Sequence, residues 1–473
     1  MPHQRTKNKI DRIEPTSDSL TGRAGLTPWV RYLDRINIYQ LLDRYPNEVR
    51  LHGAGFGTIR KSSKGIKVSE AFKQLLCFFL DGTDLHLTHF DYLAADSGYA
   101  AAIETDPADM VSSHQMKRFL NGFSFRRNFL FRRLLGDLFL WRLQAQKPEV
   151  VLLDLDTMVM DNDDAQHREG VDPTYKKRKG FQPLQLKWGP YVVDAVFRRG
   201  KKHSNHGKTV VHMMSHMVER IRRDYDPDVP IVLTVDAGFF DQENFRAFEK
   251  LGIGYVCGGK LYKDIEQRAE QIPEQDWQPL DKEDGRRYLC ASFADQRGTW
   301  DKPRRAVFTR LTNKDHQGVF AFAQDQKVYY TNLGEDDAFT QRLITAGKGS
   351  WVTTPGVVSL AHGRGKDELR HRALKEFGTE KLPFKRFEPN TAFYYTMVVA
   401  FNLMEAFKRD VTEEIISPDV YPTTFRRMFL DIAGKIVATG HRVILKVTRA
   451  VWDRLNLHKI WDRANSPSVP TLV

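Results

Sequence analysis

The sequence predicts an α/β fold: a sheet with crossover helices, interrupted by a β-rich insertion and framed by a helical N-terminal region and C-terminal helices. Residues 149–160 and 230–235 are apolar runs with the length of buried strands, and such runs alternate with amphipathic helical stretches. Between residues 260 and 350 the helical periodicity fades and short alternating segments replace it. We therefore expect one α/β core that contains an insertion.

The composition excludes several classes of protein. Of the 473 residues, 41% are apolar, which is enough for a packed core and excludes disorder over most of the chain. The three cysteines lie far apart, which excludes a disulfide scaffold and a cysteine zinc finger and fits a reducing compartment. Residues 1–16 are polar and basic, and no apolar stretch is long enough to span a bilayer. We therefore expect neither export nor a membrane span, and a cytoplasmic location.

The charge balance favours a polyanionic partner. The 72 lysines and arginines exceed the 60 acids and give a formal net charge of +12. Lysine and arginine contacts with phosphates release counterions and yield affinity without sequence information. Nucleic acid is the partner that this composition favours.

The N-terminal region is predicted to be helical. Apolar residues recur at helical spacing within residues 71–80, 116–120 and 129–141. Arginines and phenylalanines alternate near the last of these segments, namely Arg126, Arg127, Arg132 and Arg133 beside Phe123, Phe125 and Phe131. This pattern indicates either a solvated helical face or a helix that contacts DNA.

The central region is predicted to form the sheet. The expected strands are residues 149–160, 183–187, 191–197, 230–235 and 254–257, and the expected helices are residues 206–225 and 242–251. Strands that alternate with helices imply crossover connections.

The insertion and the C-terminal region follow. Short strands are expected at residues 287–293, 305–311, 318–322 and 327–330, and helices at residues 367–377, 390–407 and 442–462. The last of these carries several cations among its apolar residues, which suits a helix packed either on its own core or on a partner.

Three aspartates lie on the predicted central strands. Asp154 and Asp156 are two residues apart, so both side chains point to the same face of their strand, and Asp236 ends a second apolar strand. Carboxylates on apolar strands are costly unless they are paired or bind a cation. They either bind a hard divalent ion such as magnesium at the sheet edge, or cap loops and pair with arginines.

A later helix carries a fourth acid between cations. Arg364, Glu368, His371 and Lys375 follow at i, i+4, i+7 and i+11, which places them along one helical face. A carboxylate flanked by cations can bind a metal while its neighbours hold phosphates. Charged helical faces are common, so the segment indicates little by itself.

Together, these segments resemble the DDE transposases of bacterial insertion sequences, in the subgroup with a Tyr-x2-Arg-x3-Glu-x6-Lys signature. Arg364, Glu368 and Lys375 match that signature, and Ala361 stands in place of its tyrosine. Further matching motifs are Leu-Asp-Leu-Asp-Thr at 153–157, Gly-Phe-Gln-Pro-Leu at 180–184, Val-Asp-Ala-Gly-Phe-Phe at 235–240 and Leu-Pro-Phe-Lys-Arg-Phe at 382–387.

The resemblance implies a fold and a catalytic site. It implies a ribonuclease-H-like core with a β-strand insertion, in which Asp156, Asp236 and Glu368 hold Mg2+, with Mn2+ as a substitute. Two such ions would activate water and then a DNA 3′-hydroxyl for cleavage and strand transfer. Asp156 is favoured over Asp154 because it directly precedes Thr157.

The resemblance also implies DNA contacts and partners. The expected DNA-binding residues are Arg364, Lys375, Trp300, Lys177 and Lys179. The partners would be double-stranded DNA, as terminal inverted repeats and as target DNA, and a second copy of the chain that forms a homodimer on paired ends. The protein would then be associated with the bacterial nucleoid.

The expected organisation has five parts. They are a DNA-binding helical region (1–147), the first part of the core (148–259), the β-rich insertion (260–355), the second part of the core with the glutamate helix (356–410) and a C-terminal helical region (411–473).

Several alternatives stay open. Trp300 is either buried or stacks on a base displaced near the cleaved end. The basic run at 175–179 is either a solvated hairpin or a loop that follows phosphates, and His212, His216 and Glu219 form a weak candidate zinc face. A ribonuclease-H-like nuclease that does not join ends, or a DNA-binding protein with a decayed site, would show much the same sequence.

Overall fold

A computed structural model describes residues 10, 12–48, 65–165, 167–312 and 325–472, and its side-chain description excludes residues 46–48 and 365–368. The described part is a mixed α/β structure around one nine-stranded sheet, with two small three-stranded sheets beside it. Within the described residues, every helix is too short or too polar to cross a membrane.

The N-terminal region is helical, as predicted. Strand β1 and seven helices precede the large sheet: β1 (Ser19–Thr21), α1 (Leu26–Arg35), α2 (Ile38–Glu48), α3 (Val68–Asp81), α4 (His89–Ala95), α5 (Ser97–Ala102), α6 (Ser113–Asn121) and α7 (Phe125–Gln146). Helix α6 begins with a capping box, in which the Ser112 hydroxyl accepts from the Gln115 N–H and the Gln115 side chain accepts from the Ser112 N–H. Helix α7 packs on strand β7 of the sheet and on α14, defined below.

The predicted central strands and helices are confirmed. They are β2 (Val151–Thr157), β6 (Leu184–Trp188), β7 (Tyr191–Val196), α8 (Thr209–Asp224), β8 (Ile231–Val235), α9 (Gln242–Lys250) and β9 (Gly254–Gly258). Three short strands between β2 and β6 were not predicted, namely β3 (Met160–Asp161), β4 (Asp172–Pro173) and β5 (Lys179–Phe181). Strands β2, β8 and β9 are parallel neighbours, and β6 and β7 continue the sheet in antiparallel fashion. Strands β3, β5 and β4 form a small separate sheet.

The insertion continues the same sheet. Its elements are α10 (Lys263–Glu270), β10 (Gln278–Asp281), β11 (Arg287–Asp295), β12 (Arg304–Thr312), β13 (Gln326–Thr331) and α11 (Asp337–Thr345). Strand β13 pairs with β9, so the strand order is β10-β11-β12-β13-β9-β8-β2-β6-β7. The strand expected at residues 318–322 lies outside the described residues.

The C-terminal part contains a β-hairpin as well as helices. Its elements are α12 (Thr354–Gly363), α13 (Gly365–Phe377), α14 (Phe387–Phe407), α15 (Pro422–Phe425), β14 (Gly434–Thr439), β15 (Arg442–Val447), α16 (Arg449–Arg454) and α17 (Leu457–Asn465). The single helix predicted over residues 442–462 is wrong. Gly440, at a φ of +57°, turns the chain between β14 and β15, and β14 pairs with β1.

The larger of two hydrophobic clusters in the described residues joins the N-terminal helices, the sheet and α14. Helix α14 is buried along its whole length and packs on α3 and α7. The buried Arg426 ties these layers together, because its guanidinium donates to the backbone oxygens of Phe79, Leu80 and Phe377 at 2.5–2.8 Å. The core therefore does not divide at residue 147.

Candidate active site

Three aspartates meet at one edge of the large sheet. Asp154 and Asp156 lie on the same face of β2, and Asp236 directly follows β8. In the parallel pairing of these strands, Leu155 is opposite Val235, so Asp156 and Asp236 occupy the next position along each strand. The carboxyl ends of two adjacent parallel strands thus bring two acids together, as predicted.

Asp154 is the deeper of the two acids on β2. Its side chain is 7% exposed, and its Oδ1 accepts from the Thr234 hydroxyl at 2.9 Å and from the Arg364 Nε at 2.5 Å. Its Oδ2 is buried and has no hydrogen-bond partner among the described residues. Asp154 is therefore the close ion-pair partner of Arg364.

Asp156 is more open to solvent. Its side chain is 20% exposed, and Arg364 Nη2 lies 3.9 Å from its Oδ2. Burial raises the pKa of Asp156 to about 6; the Asp154 and Asp236 carboxylates add to the rise, whereas Lys187 and Arg364 oppose it. The site thus holds a carboxylate whose charge is only partly compensated.

Asp236 is fixed by the turn that follows β8. Its Oδ1 accepts from the Gly238 N–H at 2.8 Å and so caps a short helical turn at Ala237–Phe239. Burial raises the pKa of Asp236, the Asp154 carboxylate adds to the rise, and Arg364 and the Gly238 hydrogen bond oppose it. Its orientation is set locally, independently of the other acids.

Helix α13 approaches the acids through Arg364 and His371, two of the four residues of the predicted face. Arg364 stands at the start of this helix, and His371 lies seven residues later with its Nδ1 3.8 Å from Asp156 Oδ2. Glu368 occupies the helical position between these two residues, and its side chain lies outside the described part of the chain.

Sequence reasoning did not assign two residues that contribute to the site. Lys187, on β6 directly opposite Asp154, is a buried cation that lowers the pKa of Asp156. Burial, Lys187 and Lys375 lower the pKa of His371 to about 2, so its ring is neutral at neutral pH. The sequence did offer a clue to Lys187, because a lysine is unusual inside a strand that is predicted to be buried.

The predicted DNA-binding residues are not all at the sheet edge. Lys375 forms an ion pair with Glu380 at 2.5 Å. Lys177 is exposed and Lys179 half-buried on the hairpin between β4 and β5, and the neighbouring Lys176 lowers the pKa of His371, which places this hairpin near α13.

Trp300 lies in an aromatic cluster. It is buried, and its ring lies 5.7 Å from that of Phe240, 5.8 Å from that of Phe245 and 5.3 Å from that of Tyr330. The Arg304 guanidinium lies 5.2 Å from the same ring. Phe240 is four residues after Asp236, so this cluster adjoins the turn that orients the acid.

Ala361 lies beside a cavity of about 680 Å3 that adjoins the acids. Asp236 and Arg364 line one side of this cavity, and Tyr288 and Tyr329 of the insertion line the other. Side chains of the insertion strands therefore surround the position at which the signature has its tyrosine.

The acids fit a divalent cation. Asp154 and Asp236 both raise the pKa of Asp156, and Asp154 contributes a buried oxygen that has no donor among the described residues. Among the described side chains, which do not include Glu368, no three His, Cys, Asp or Glu residues form a group that could hold a metal ion. The candidate zinc face is not such a group either: His212, His216 and Glu219 are exposed on α8.

Comparison with known families agrees with this geometry. A family model described as "Transposase DDE domain group 1" matches residues 68–466. The chain belongs to this DDE transposase family. Members of the family generally use divalent metal ions, and the resemblance inferred from the motifs is confirmed.

More distant comparisons add little. A cryo-EM structure of a piggyBac transposase synaptic complex with hairpin DNA is 11% identical, with alignment over 96% of this chain and 85% of that chain and a TM-score of 0.38. No curated protein matches the chain at a significant level.

Proposed function

We propose that this protein is a transposase that cleaves the ends of an insertion sequence and joins them to target DNA by metal-dependent phosphoryl transfer. The observation that carries the proposal is that Asp156 and Asp236 lie at adjacent strand ends, with His371 of helix α13 3.8 Å from Asp156. Membership of the transposase family supports the same conclusion.

The strand order supports a ribonuclease-H-like core within the large sheet. The five strands β7-β6-β2-β8-β9 form an antiparallel half and a parallel half that share β2. In this proposal, the acids lie where the parallel half ends, and β10–β13 are an insertion built onto the outer strand β9.

We assign different roles to the two acids of β2. Asp156 is the first catalytic carboxylate, because it is the more exposed acid and lies beside Asp236. Asp154 is a positioning residue, because it engages the Arg364 guanidinium at the start of the glutamate helix. The family position thus falls on Asp156.

The chain's own residues prepare the reaction. Asp156, Asp236 and Glu368 would hold Mg2+, or Mn2+ in its place, and the bound ions supply the Lewis acidity that activates the attacking oxygen and stabilises the leaving oxygen. Asp154 holds Arg364 in place. The neutral His371 borders Asp156 without adding a positive charge to the acid cluster.

DNA would be held by the cations that surround the acids. Arg364 and Lys375 are proposed to bind phosphates near the cleaved end, which requires each to share the carboxylate it now contacts. Lys177 and Lys179 would follow the backbone on the β4–β5 hairpin. A stacking role for Trp300 requires it to leave its aromatic cluster, so it stays the least supported of these contacts.

We also propose a homodimer on paired ends, since concerted joining of two ends requires two active sites. The free protein is expected to be largely monomeric, and paired-end DNA is expected to drive assembly.

The test is a gel assay with labelled duplex ends of the element and plasmid target DNA. Asp156→Asn, Asp236→Asn and Glu368→Gln should each abolish cleavage while end binding persists, and EDTA should abolish cleavage by the wild type. Asp228→Asn is the matched control, because Asp228 is exposed in the loop before β8, on the far side of that strand from Asp236.

The products separate the alternatives. Joined product supports a transposase, whereas cleavage without joining indicates a nuclease of the same chemistry. Binding without any cleavage in Mg2+ indicates a decayed site. Robust cleavage by the Asp236 variant contradicts the proposed catalytic acids.

A further inference from the structure

A cationic groove lies between helices α7 and α8, away from the acids. It has a volume of about 910 Å3 and is lined mainly by one face of each helix. The α7 face contributes Phe129, Arg132, Arg133 and Asp137, and the α8 face contributes Lys208, Thr209, His212, Met213, His216, Arg220 and Arg223. Five of these side chains are lysine or arginine and one is an acid.

The cations of the groove have two different roles. Arg132 donates to Asp194 through two nitrogens, at 2.8 and 2.5 Å, and Arg220 pairs with Asp137 across the groove. These pairs join the helices to each other and to β7. They form the floor of the groove and are already compensated.

The rim is different. Lys208 is exposed at the start of α8, and no acid among the described residues pairs with it. Arg223 is exposed near the other end of α8 and contacts Asp224, which also faces Arg220 at 3.8 Å. His212 and His216 lie exposed between them. A lysine and an arginine thus stand at the two ends of α8, with two exposed histidines between them.

The groove begins at the acidic edge of the sheet. Lys208 lies four residues after Ser204, whose hydroxyl is 3.4 Å from that of Thr157, the residue after Asp156. The loop between β7 and α8 also contains the exposed Lys201 and the half-buried Lys202. A backbone that leaves the acids in this direction first meets Lys201, Lys202 and Lys208.

An exposed aromatic pair stands at the α7 side. Phe125 is 67% exposed and Phe129 is 42% exposed, with their rings edge to face at 5.3 Å. Arg126, exposed between them, adds a further cation. Phe129 lines the groove, so this aromatic pair marks its α7 margin.

We propose that the α7–α8 groove binds the phosphate backbone of duplex DNA that extends from the acidic edge. This inference rests on the proposed function, because it takes DNA to be the substrate at that edge. Helix α8 has 16 residues and is therefore about 24 Å long, which corresponds to about seven base pairs at 3.4 Å each. The contacts are to the backbone and carry no sequence information.

The test compares two double variants with the same change in charge. The groove variant is Lys208→Glu with Arg223→Glu. The control is Arg442→Glu with Arg454→Glu, whose side chains are exposed on β15 and α16, elements that do not line the groove. Binding is measured by fluorescence anisotropy on random-sequence duplexes of about 40 and about 10 base pairs over a range of salt concentrations. Thermal unfolding checks that both variants are folded.

We expect the groove variant to bind the long duplex about tenfold more weakly than the wild type at 0.1 M salt. The slope of log affinity against log salt should become less steep by about 1.8, which is about 0.9 for each lost phosphate contact. The control should bind like the wild type. The short duplex should show a smaller loss.

Three results would overturn the proposal. An equal loss of DNA affinity in both variants would indicate an effect of net charge alone, and an unchanged affinity in the groove variant would exclude the groove. Displacement of the DNA by polyglutamate as readily as by unlabelled DNA would indicate a site for acidic proteins. Cleavage of labelled ends is scored separately. A protein that binds through the groove but cleaves nothing contradicts the proposed chemistry and leaves the groove assignment standing.

Discussion

We expect Asp154→Asn and Asp156→Asn to change the free energy of unfolding in opposite directions. The two aspartates are two residues apart on one face of β2, and the substitution is the same. Asp154 is the hydrogen-bonded partner of Arg364, whereas Asp156 is half-buried beside two other carboxylates. Metal-free conditions, in EDTA, isolate these contributions.

The size of the expected change for Asp156→Asn follows from the pKa of Asp156. Its rise from 3.8 to about 6 corresponds to about 3 kcal/mol, at about 1.4 kcal/mol for each tenfold change in proton affinity. A carboxyl group whose pKa is raised on folding binds its proton more tightly in the folded state than in the unfolded state. Its ionisation therefore lowers the free energy of unfolding as the pH rises from about 4 to about 6. We expect Asp156→Asn to stabilise the protein by about 2 to 3 kcal/mol at pH 8. The gain should shrink below pH 6 and vanish near pH 4.

The magnitude for Asp154 follows from its ion pair. The Arg364 side chain is 16% exposed, and removal of one partner of a buried pair costs about 3 to 5 kcal/mol. Arg364 keeps Asp156 at 3.9 Å, so we expect Asp154→Asn to destabilise the protein by about 3 kcal/mol, the lower end of that range.

Urea unfolding followed by circular dichroism at several pH values measures both variants. Equal m-values confirm that only stability has changed. If both variants destabilise the protein equally, or if the effect of Asp156→Asn does not depend on pH, the different roles assigned to the two acids are wrong.

Three further predictions concern the fold and the assembly. Arg426→Met should lower the free energy of unfolding in urea by about 3 kcal/mol or more, because three buried backbone oxygens lose a charged donor. A decrease of less than about 1 kcal/mol would contradict this. A fragment that ends at Lys147 should show no cooperative thermal transition, because its helices share the core of the sheet and α14. Light scattering should show a monomer without DNA and a dimer with paired-end DNA, and a stable dimer without DNA would refute that expectation.

The sheet and its helices were predictable because their patterns are unambiguous. The run around Asp154 and the run before Asp236 have the length and β-branched content of buried strands, and both form them. The helix expected at 442–462 was wrong because its apolar residues fit both periods. Val443, Leu445 and Val447 also alternate as a strand does, and Gly440 provides the turn.

The site was predictable in its acids and less so in its cations. Asp156 and Asp236 follow from strand ends, whereas the pairing of Arg364 with Asp154 joins residues 210 positions apart. Local patterns carry no information about such contacts. Lys187 belongs to the same class, since its position opposite Asp154 depends on strand register.

The positive charges among the acids have a consequence for the order of binding. Asp154, Asp156 and Asp236 are three carboxylates, and Arg364 and Lys187 place two positive charges beside them, so one carboxylate charge stays uncompensated without metal. Two divalent cations would overcompensate the site even with Glu368 included. The excess would then be balanced by DNA phosphates. By thermodynamic linkage, DNA must strengthen metal binding by the same factor as metal strengthens DNA binding. We therefore expect the protein to bind its metal weakly when no DNA is present.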